Sequence, residues 1–221
     1  MSIVLPKEKN EDTTQFSPQN SKKLLLIFTR NPELGKCKSR LAATVGNQNA
    51  LDIYKFLLNH TATLTKDVNA TKQVWYSEEI WENDIWNNHT FDKKLQHGAD
   101  LGARMAHAFQ EGFAAGFERI IIIGSDMYDL TKADINNAFT ALKKNDYVIG
   151  PAEDGGYYLL GMTTFKESLF QNKSWGTETV LQHTLADLNE EKTTLLDTRN
   201  DVDYYKDIKN IDAFSPYLKN I

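Results

Sequence analysis

Arg119-Ile-Ile-Ile-Ile-Gly-Ser-Asp126 is a run of four isoleucines that stops at Gly-Ser-Asp. An unbroken β-branched run of this kind predicts a central parallel strand, buried on both faces beneath helices. Ligands of open α/β sheets lie beyond the carboxyl ends of the strands. Asp126 is therefore a carboxylate placed where a site is expected. Further along, Gly150-Pro-Ala-Glu-Asp-Gly-Gly156 follows the next predicted strand and adds Asp154, Gly155 and Gly156. The two stretches together point to a site for a metal and a phosphorylated substrate.

Working outward, residues 22–29 (KKLLLIFT) read as a first strand, apolar on both faces, and residues 30–35 (RNPELG) as a loop. A helix starts near Lys38, and a second helical stretch over 51–64 carries Leu51, Tyr54, Leu57, Leu58 and Leu64 at helical spacing. Residues 72–77 read as a strand, 78–90 show no pattern, and 91–96 read as a short strand. The amphipathic helix over 100–117 places Leu101, Met105, Ala108, Phe109, Gly112 and Phe113 on one face. Past the isoleucine strand, Thr131 and Asp134 form a capping box for a helix over 131–144. Strands follow at 146–151 and 157–162, the second returning antiparallel after Asp-Gly-Gly. The reading ends with a helix over 178–189, a short strand at 193–197 and helices over 202–218. This alternation predicts an α/β fold, a three-layer α/β/α Rossmann-like sandwich on a mostly parallel mixed sheet. Residues 1–20, polar and proline-containing, are expected to be a flexible tail, and residues 21–221 a single domain.

The composition sets further bounds. A net charge of −5 and a pI near 5.6 argue against a nucleic-acid surface, which carries a basic bias. The single cysteine, Cys37, excludes an intramolecular disulfide and fits a reducing compartment. No apolar run approaches the ~18 residues needed to span a bilayer, and the N-terminus lacks the apolar core of a signal peptide. The expectation is a cytoplasmic protein with no membrane span. The oligomeric state is not legible.

Arg30, Lys36, Lys38 and Arg40 cluster in the loop after the first strand and at the start of its helix. Cations in a first helical turn oppose the macrodipole, each at a cost of about a few tenths of a kcal/mol. An anion between them would explain the arrangement, with Gly35 letting the backbone approach a phosphate. A solvated basic face is the alternative. Asp126 reads as a ligand for a hard divalent ion, because Thr131 is the better cap and leaves Asp126 without a structural task. Asp154-Gly155-Gly156 reads equally as a hairpin turn and as part of a site. Asp201 and Asp203 read as metal ligands or as caps of the last helices. Asp100 is first a helix cap and second a substrate contact, and Arg104 reaches either a phosphate or a carboxylate. Trp175, in Trp175-Gly-Thr177, reads as a face that stacks on a sugar or base, or as a core contact. The five histidines show no ligand spacing.

Phe28-Thr-Arg-Asn-Pro-Glu-Leu-Gly-Lys-Cys-Lys-Ser-Arg-Leu41, Gln96, Asp100-Leu-Gly-Ala-Arg-Met105, Ile123-Gly-Ser-Asp126, Gly150-Pro-Ala-Glu-Asp-Gly-Gly-Tyr157, Trp175-Gly-Thr177 and Asp201-Val-Asp203 occur in an order that resembles the glycosyltransferase-like family of radical-SAM/selenodomain-associated transferases. That family lies within the nucleotide-diphospho-sugar transferase superfamily, of GT-A fold. More distantly, Lys-Ser-Arg-Leu resembles the 2-phospholactate guanylyltransferases. The resemblance covers about residues 22–210. It implies a nucleotide over the first strand and its loop, with Mg²⁺ or Mn²⁺ at Asp126. One departure is Asp126-Met-Tyr128, where the family has Asp-x-Pro.

Three functions are consistent with these residues. The leading one is a metal-dependent transferase acting on a nucleotide sugar and a small acceptor. In it the basic cluster neutralises the diphosphate, Asp126, Asp201 and Asp203 serve the metal, and Asp154 binds the sugar or acceptor or acts as base. Tyr157, Trp175 and Thr177 complete the substrate site. The second is a nucleotidyltransferase joining an NTP to a small phosphorylated acceptor. Against it, the first loop lacks a Gly-x-Gly-Thr-Arg-type element. The third is a non-catalytic nucleotide-binding module.

Overall fold

β1 (Lys23–Thr29) and β4 (Arg119–Gly124) lie side by side in parallel, with Leu24 to Ile27 opposite Ile120 to Ile123. Both runs are fully buried, as an unbroken apolar strand requires. Successive side chains point to opposite faces of the sheet, and each face finds its own helices. Leu25, Ile27, Ile121 and Ile123 pack with Leu51, Tyr54 and Leu58 of α2 (Asn47–Thr65) and with Ile135 and Phe139 of α4 (Lys132–Ala141). Leu24, Leu26, Ile120 and Ile122 pack with Met105, Ala108 and Phe109 of α3 (Leu101–Ala114) on the other face. The chain is seen in a computed structural model, which describes residues 22–219. The tail expected over residues 1–20 lies outside the described residues.

The seven-stranded sheet has the order β3-β2-β1-β4-β6-β5-β7. The strands beyond β1 and β4 are β2 (Thr71–Tyr76), β3 (Asp92–Leu95), β5 (Tyr147–Pro151), β6 (Tyr157–Met162) and β7 (Thr193–Leu195). β6 runs antiparallel to both β4 and β5, and the other pairings are parallel. This is the expected three-layer sandwich on a mostly parallel mixed sheet. Gly112 sets how closely α3 approaches the sheet, since a Cβ there would stand 2.7 Å from both Ile120 and Leu24. The remaining helices are α1 (Ser39–Val45), α5 (Val180–Asp187) and α6 (Tyr205–Ile208). No helix of the described residues is long and apolar enough to cross a membrane.

Three sequence expectations are corrected or narrowed. Leu101 does not share the buried face of α3, being 45% exposed at the sheet's carboxyl edge, while Gly102 is buried. Asp100 caps the helix there through the Ala103 amide at 2.8 Å, so the first turn stands over the cleft instead of the core. The helices expected over 202–218 reduce to the single turn of α6 and a 3-10 segment, Asp212–Tyr217, that contains Pro216. Their apolar residues Val202, Ile208 and Phe214 nevertheless pack on Leu41, Ile53 and Leu57 of α1 and α2. The patternless residues 78–90 are held by side chains instead of a backbone ladder. The Asn31 amide donates to the Glu79 carbonyl and accepts from the Glu78 and Glu79 amides. Lys93 and Tyr76 both bond Asp84.

The capping box at α4 is present, with Asp134 accepting from the Thr131 amide at 2.9 Å and donating its own amide to the Thr131 hydroxyl. Arg199 Nη2 reaches the other Asp134 oxygen at 2.8 Å. Burial pushes the Asp134 carboxyl up, but Arg199 and Thr131 outweigh it and hold it below the ordinary value. A depressed folded-state pKa gives stabilisation that is present above the unfolded value near ~4 and is lost as pH falls through the folded one. Asp134→Ala is expected to lower the unfolding free energy by about 1–2 kcal/mol at pH 7. In urea denaturation the gap to the parent should close as pH falls below about 4.

Candidate active site

The carboxyl edge of the sheet collects residues from distant parts of the chain. β1 ends at Thr29 and delivers Arg30, β4 ends at Gly124 and delivers Asp126, and β5 ends at Pro151 and delivers Asp154. β7 leads on to Asp201 and Asp203 through a bridge between Ala152 and Arg199. The backbone at Lys38 is left-handed, with φ 50° and ψ 46°, immediately before α1. That conformation is unfavourable for a side-chain-bearing residue. Here the Lys38 Nζ donates to Asp126 Oδ2 at 2.7 Å and to Asp203 Oδ1 at 3.1 Å. Arg40 Nη1 donates to the second Asp203 oxygen at 2.9 Å.

The electrostatics follow from this geometry. The Lys38 side chain is only 4% exposed, whereas that of Asp126 is 42% exposed to the cleft. Burial works against the Lys38 charge, yet Asp126 and Asp203 together raise its pKa above the ordinary lysine value. Withdrawal from water likewise works against the Asp126 charge, but Lys38, backbone amides and Arg30 hold its carboxyl low. Asp201 has no such cation within bonding reach. Burial first, then Asp203, Asp154 and Asp126, push its carboxyl up to about 6. Asp201 is therefore a carboxylate with no bonded cation among the described residues.

Asp154 makes the turn that one of its sequence readings expected. Its Oδ1 accepts from the Gly156 amide at 2.8 Å, which makes the turn from β5 to β6. Gly155 supplies a positive φ of 85° where a Cβ would lie 2.3 Å from the Glu178 carbonyl oxygen. The Asp154 side chain also lines the cleft. The Asp126 loop is pinned on both sides, Met127 entering the core and Tyr128 stacking among Phe56, His60 and Phe214. A buried thioether and a partly buried aromatic ring thus stand where the resembling family has a proline.

Two adjoining cavities receive nearly all the candidate residues. A groove of about 820 Å³ is lined by Arg30, Lys36, Lys38, Arg40, Asp100 and Arg104, together with Asp126, Asp154 and Asp203. A chamber of about 240 Å³ is lined by Gly156, Tyr157, Trp175, Thr177 and Asp201, and shares Asp126 and Asp154 with the groove. Gly35 and Gly155 line neither and act through backbone conformation, both with positive φ. Lys36 is exposed and pairs with Glu33 at 2.9 Å and Glu78 at 3.6 Å. Arg104 Nε donates to the Gly98 carbonyl, and the Thr177 hydroxyl to that of Ser174. Trp175 packs on Gly102, where a Cβ would meet its ring at 2.6 Å.

Tyr54 is a site residue the sequence reading took only for core. Its hydroxyl accepts from the Arg30 amide at 3.0 Å and lies 3.5 Å from Ser125 Oγ. A tyrosine on the apolar stripe of a long helix needs a partner for its hydroxyl, and that need was the available signal. Gln96 bonds the Thr29 and Trp75 carbonyls and tethers β1, β2 and the groove wall.

Among the described residues, no group of three His, Cys, Asp or Glu side chains is spaced to hold a metal. Asp126 and Asp203 instead share the Lys38 ammonium. A hard divalent ion that takes diphosphate oxygens needs only one or two carboxylates, however. The Asp201 carboxylate, which has no bonded cation and lies within the field of Asp126, fits such a requirement.

The fold is that of the nucleotide-diphospho-sugar transferase type. The chain aligns over 90% of its length, and 94% of the other chain, with a Desulfovibrio desulfuricans G20 protein provisionally described as a nucleotide-diphospho-sugar transferase, at 29% identity and a TM-score of 0.80. A 4-diphosphocytidyl-2C-methyl-D-erythritol synthase from Anaerococcus prevotii DSM 20548 shares the fold at 11% identity and a TM-score of 0.54, over 90% of this chain and 97% of that one. So does a Mycobacterium tuberculosis H37Rv protein solved in complex with manganese, at 11% identity and a TM-score of 0.50, over 90% and 99%. Residues 60–177 match the family described as "Uncharacterized protein conserved in bacteria (DUF2064)", and the chain belongs to that family. No curated protein matches it in sequence.

Removing the Lys38 ammonium would leave two carboxylates without their shared counter-charge. Lys38→Met is expected to lower the unfolding free energy by about 2 kcal/mol, less than for a fully buried pair because Asp126 is open to the cleft. Urea denaturation at pH 7 measures this. A change within about 0.5 kcal/mol would place Lys38 among the inconsequential surface pairs.

Proposed function

We propose that this chain is a transferase that moves a sugar from a nucleoside-diphosphate donor to the hydroxyl of a small acceptor. The observation that carries the reading is a groove of about 820 Å³ in which Arg30, Lys38, Arg40 and Arg104 approach the same edge as Asp126 and Asp154. Arg30 forms no ion pair with any described residue and faces that groove, a disposition suited to an anionic ligand. Arg30 and Arg104 neutralise the diphosphate, while Lys38 holds Asp126 in place and ionised. The acceptor hydroxyl oxygen attacks the anomeric carbon. The bond from that carbon to the β-phosphate oxygen breaks, its electron pair leaving with the nucleoside diphosphate. The acceptor proton passes to the Asp154 carboxylate, whose turn fixes its direction. A Mg²⁺ or Mn²⁺ held by Asp126 and Asp201 supplies, when bound, Lewis-acid stabilisation of the charge that develops on the leaving diphosphate. Asp203, already bonded to Lys38 and Arg40, serves the ion indirectly by ordering those cations.

A thermal-shift panel of nucleoside diphosphates, triphosphates and nucleotide sugars, with and without Mn²⁺, tests the reading. A nucleoside diphosphate or nucleotide sugar should stabilise the protein by RT ln(1 + [L]/Kd). Asp126→Asn is expected to weaken the Mn²⁺-dependent part of that affinity by about tenfold or more, the scale of one lost charge-assisted contact. Asp154→Asn should keep donor affinity and lose transfer by about a hundredfold, the scale of general-base removal. Release of pyrophosphate from an NTP, with no use of any nucleotide sugar, would replace glycosyl by nucleotidyl transfer. Full Mn²⁺-dependent affinity in Asp126→Asn would sink the metal assignment.

A further inference from the structure

The smaller chamber differs chemically from the groove it opens into. The two share Phe28, Leu101, Asp126, Asp154 and Gly176, so the doorway between them stands at the two carboxylates. Beyond the doorway the apolar lining is Met105, Ile122, Met127, Val180 and the indole of Trp175, and Tyr158, Thr177 and Asp201 are its polar members besides Tyr157. Gly102 is what allows that indole to lie against α3, for any Cβ there would collide with the ring and with the Phe170 carbonyl. Tyr157 brings in a hydroxyl whose contact is the Met105 sulfur at 4.0 Å, a weak acceptor. Burial alone raises the Tyr157 pKa, so this hydroxyl is a neutral donor. The Thr177 and Tyr158 hydroxyls already donate to the Ser174 and Asp197 carbonyls, so the chamber is mainly apolar, with Tyr157 as its available donor and carboxylates at Asp126, Asp154 and Asp201.

A hexose does not suit such a box. It carries a hydroxyl on nearly every carbon, and against Met105, Ile122 and Val180 most of these would lose water without gaining a partner. An apolar group does suit it. Cavities of about 150 Å³ lined by aliphatic and aromatic side chains take up benzene, and this one measures about 240 Å³. We propose that the chamber binds the apolar part of the acceptor, a single aromatic ring or a branched alkyl group of similar bulk. The hydroxyl-bearing end of that acceptor emerges at Asp154. The acceptor role rests on the transferase reading above, whereas the apolar selectivity of the chamber does not. Acceptor choice is then set by Met105, Trp175 and Val180, with Tyr157 bonding a single polar atom of the buried group.

Saturation-transfer NMR with 2-phenylethanol as the probe and glucose as the contrast tests this. The expected result is saturation of the 2-phenylethanol ring protons and none of glucose. Two variants fill the chamber from different sides, Val180→Phe and Ala152→Leu, neither residue lining the groove. Each should weaken 2-phenylethanol binding at least tenfold while leaving the thermal shift given by a nucleoside diphosphate with Mn²⁺ unchanged. Circular dichroism and the midpoint of thermal unfolding establish that each variant is folded. Glucose binding as well as 2-phenylethanol, or a 2-phenylethanol signal that survives both variants, overturns the proposal. Loss of nucleoside-diphosphate binding in the parent protein with 2-phenylethanol still bound would overturn the transferase reading and leave the chamber standing.

Discussion

The Lys38 ammonium, shared between Asp126 and Asp203, is the constraint on which the rest of the site depends. It joins the end of the central strand to the C-terminal segment with a charge that is almost wholly buried. Without it, Asp203 would keep Arg40 and Asp126 would have only the more distant Arg30 to offset its charge. The left-handed backbone at Lys38 is the local strain this arrangement sustains, and Leu41 and Val45 of α1 hold it from behind in the third core cluster. Packing and electrostatics are therefore not separable here. The apolar residues of α1 fix the point from which the lysine reaches.

The site divides its labour by side-chain chemistry. Cations gather on the β1 side of the edge, carboxylates on the β4, β5 and β7 side, and apolar side chains behind the carboxylates. Each follows from which strand ends there. β6 matters because it is antiparallel: it places a tight turn, instead of a helix, after β5. Asp154 is consequently held between two paired strands, with Gly155 pressed against Glu178 at the start of the next helix. A carboxylate held so closely suits a role that requires direction more than reach.

Much of this was legible in the sequence. The Ile120 to Ile123 run could only satisfy both its faces between two helical layers, and it does. Thr131 and Asp134, three positions apart, announced a capping box, and it is there. The candidate carboxylates and arginines could be read from their positions after strands, because strand ends and site edges coincide in this kind of sheet. What could not be read was pairing. Nothing in local sequence joins Lys38 to Asp203 or Arg199 to Asp134, since such bonds depend on three-dimensional proximity. Leu101 was misassigned because periodicity reports which residues share a face, not where that face ends. Tyr54 was taken for core alone because its ring is core and only its hydroxyl belongs to the site.

The Lys38–Asp203 contact spans 165 positions of the chain. Loop closure over such a distance is entropically late, so the residues that complete the site dock after the local elements have formed. Until they dock, Lys38 has only Asp126 for a partner, and the third core cluster lacks Val202, Ile208 and Phe214. Charge neutralisation of the cleft and closure of that core are thus one event in the history of each molecule. A partly folded chain can hold every strand of the basic groove and still lack this contact.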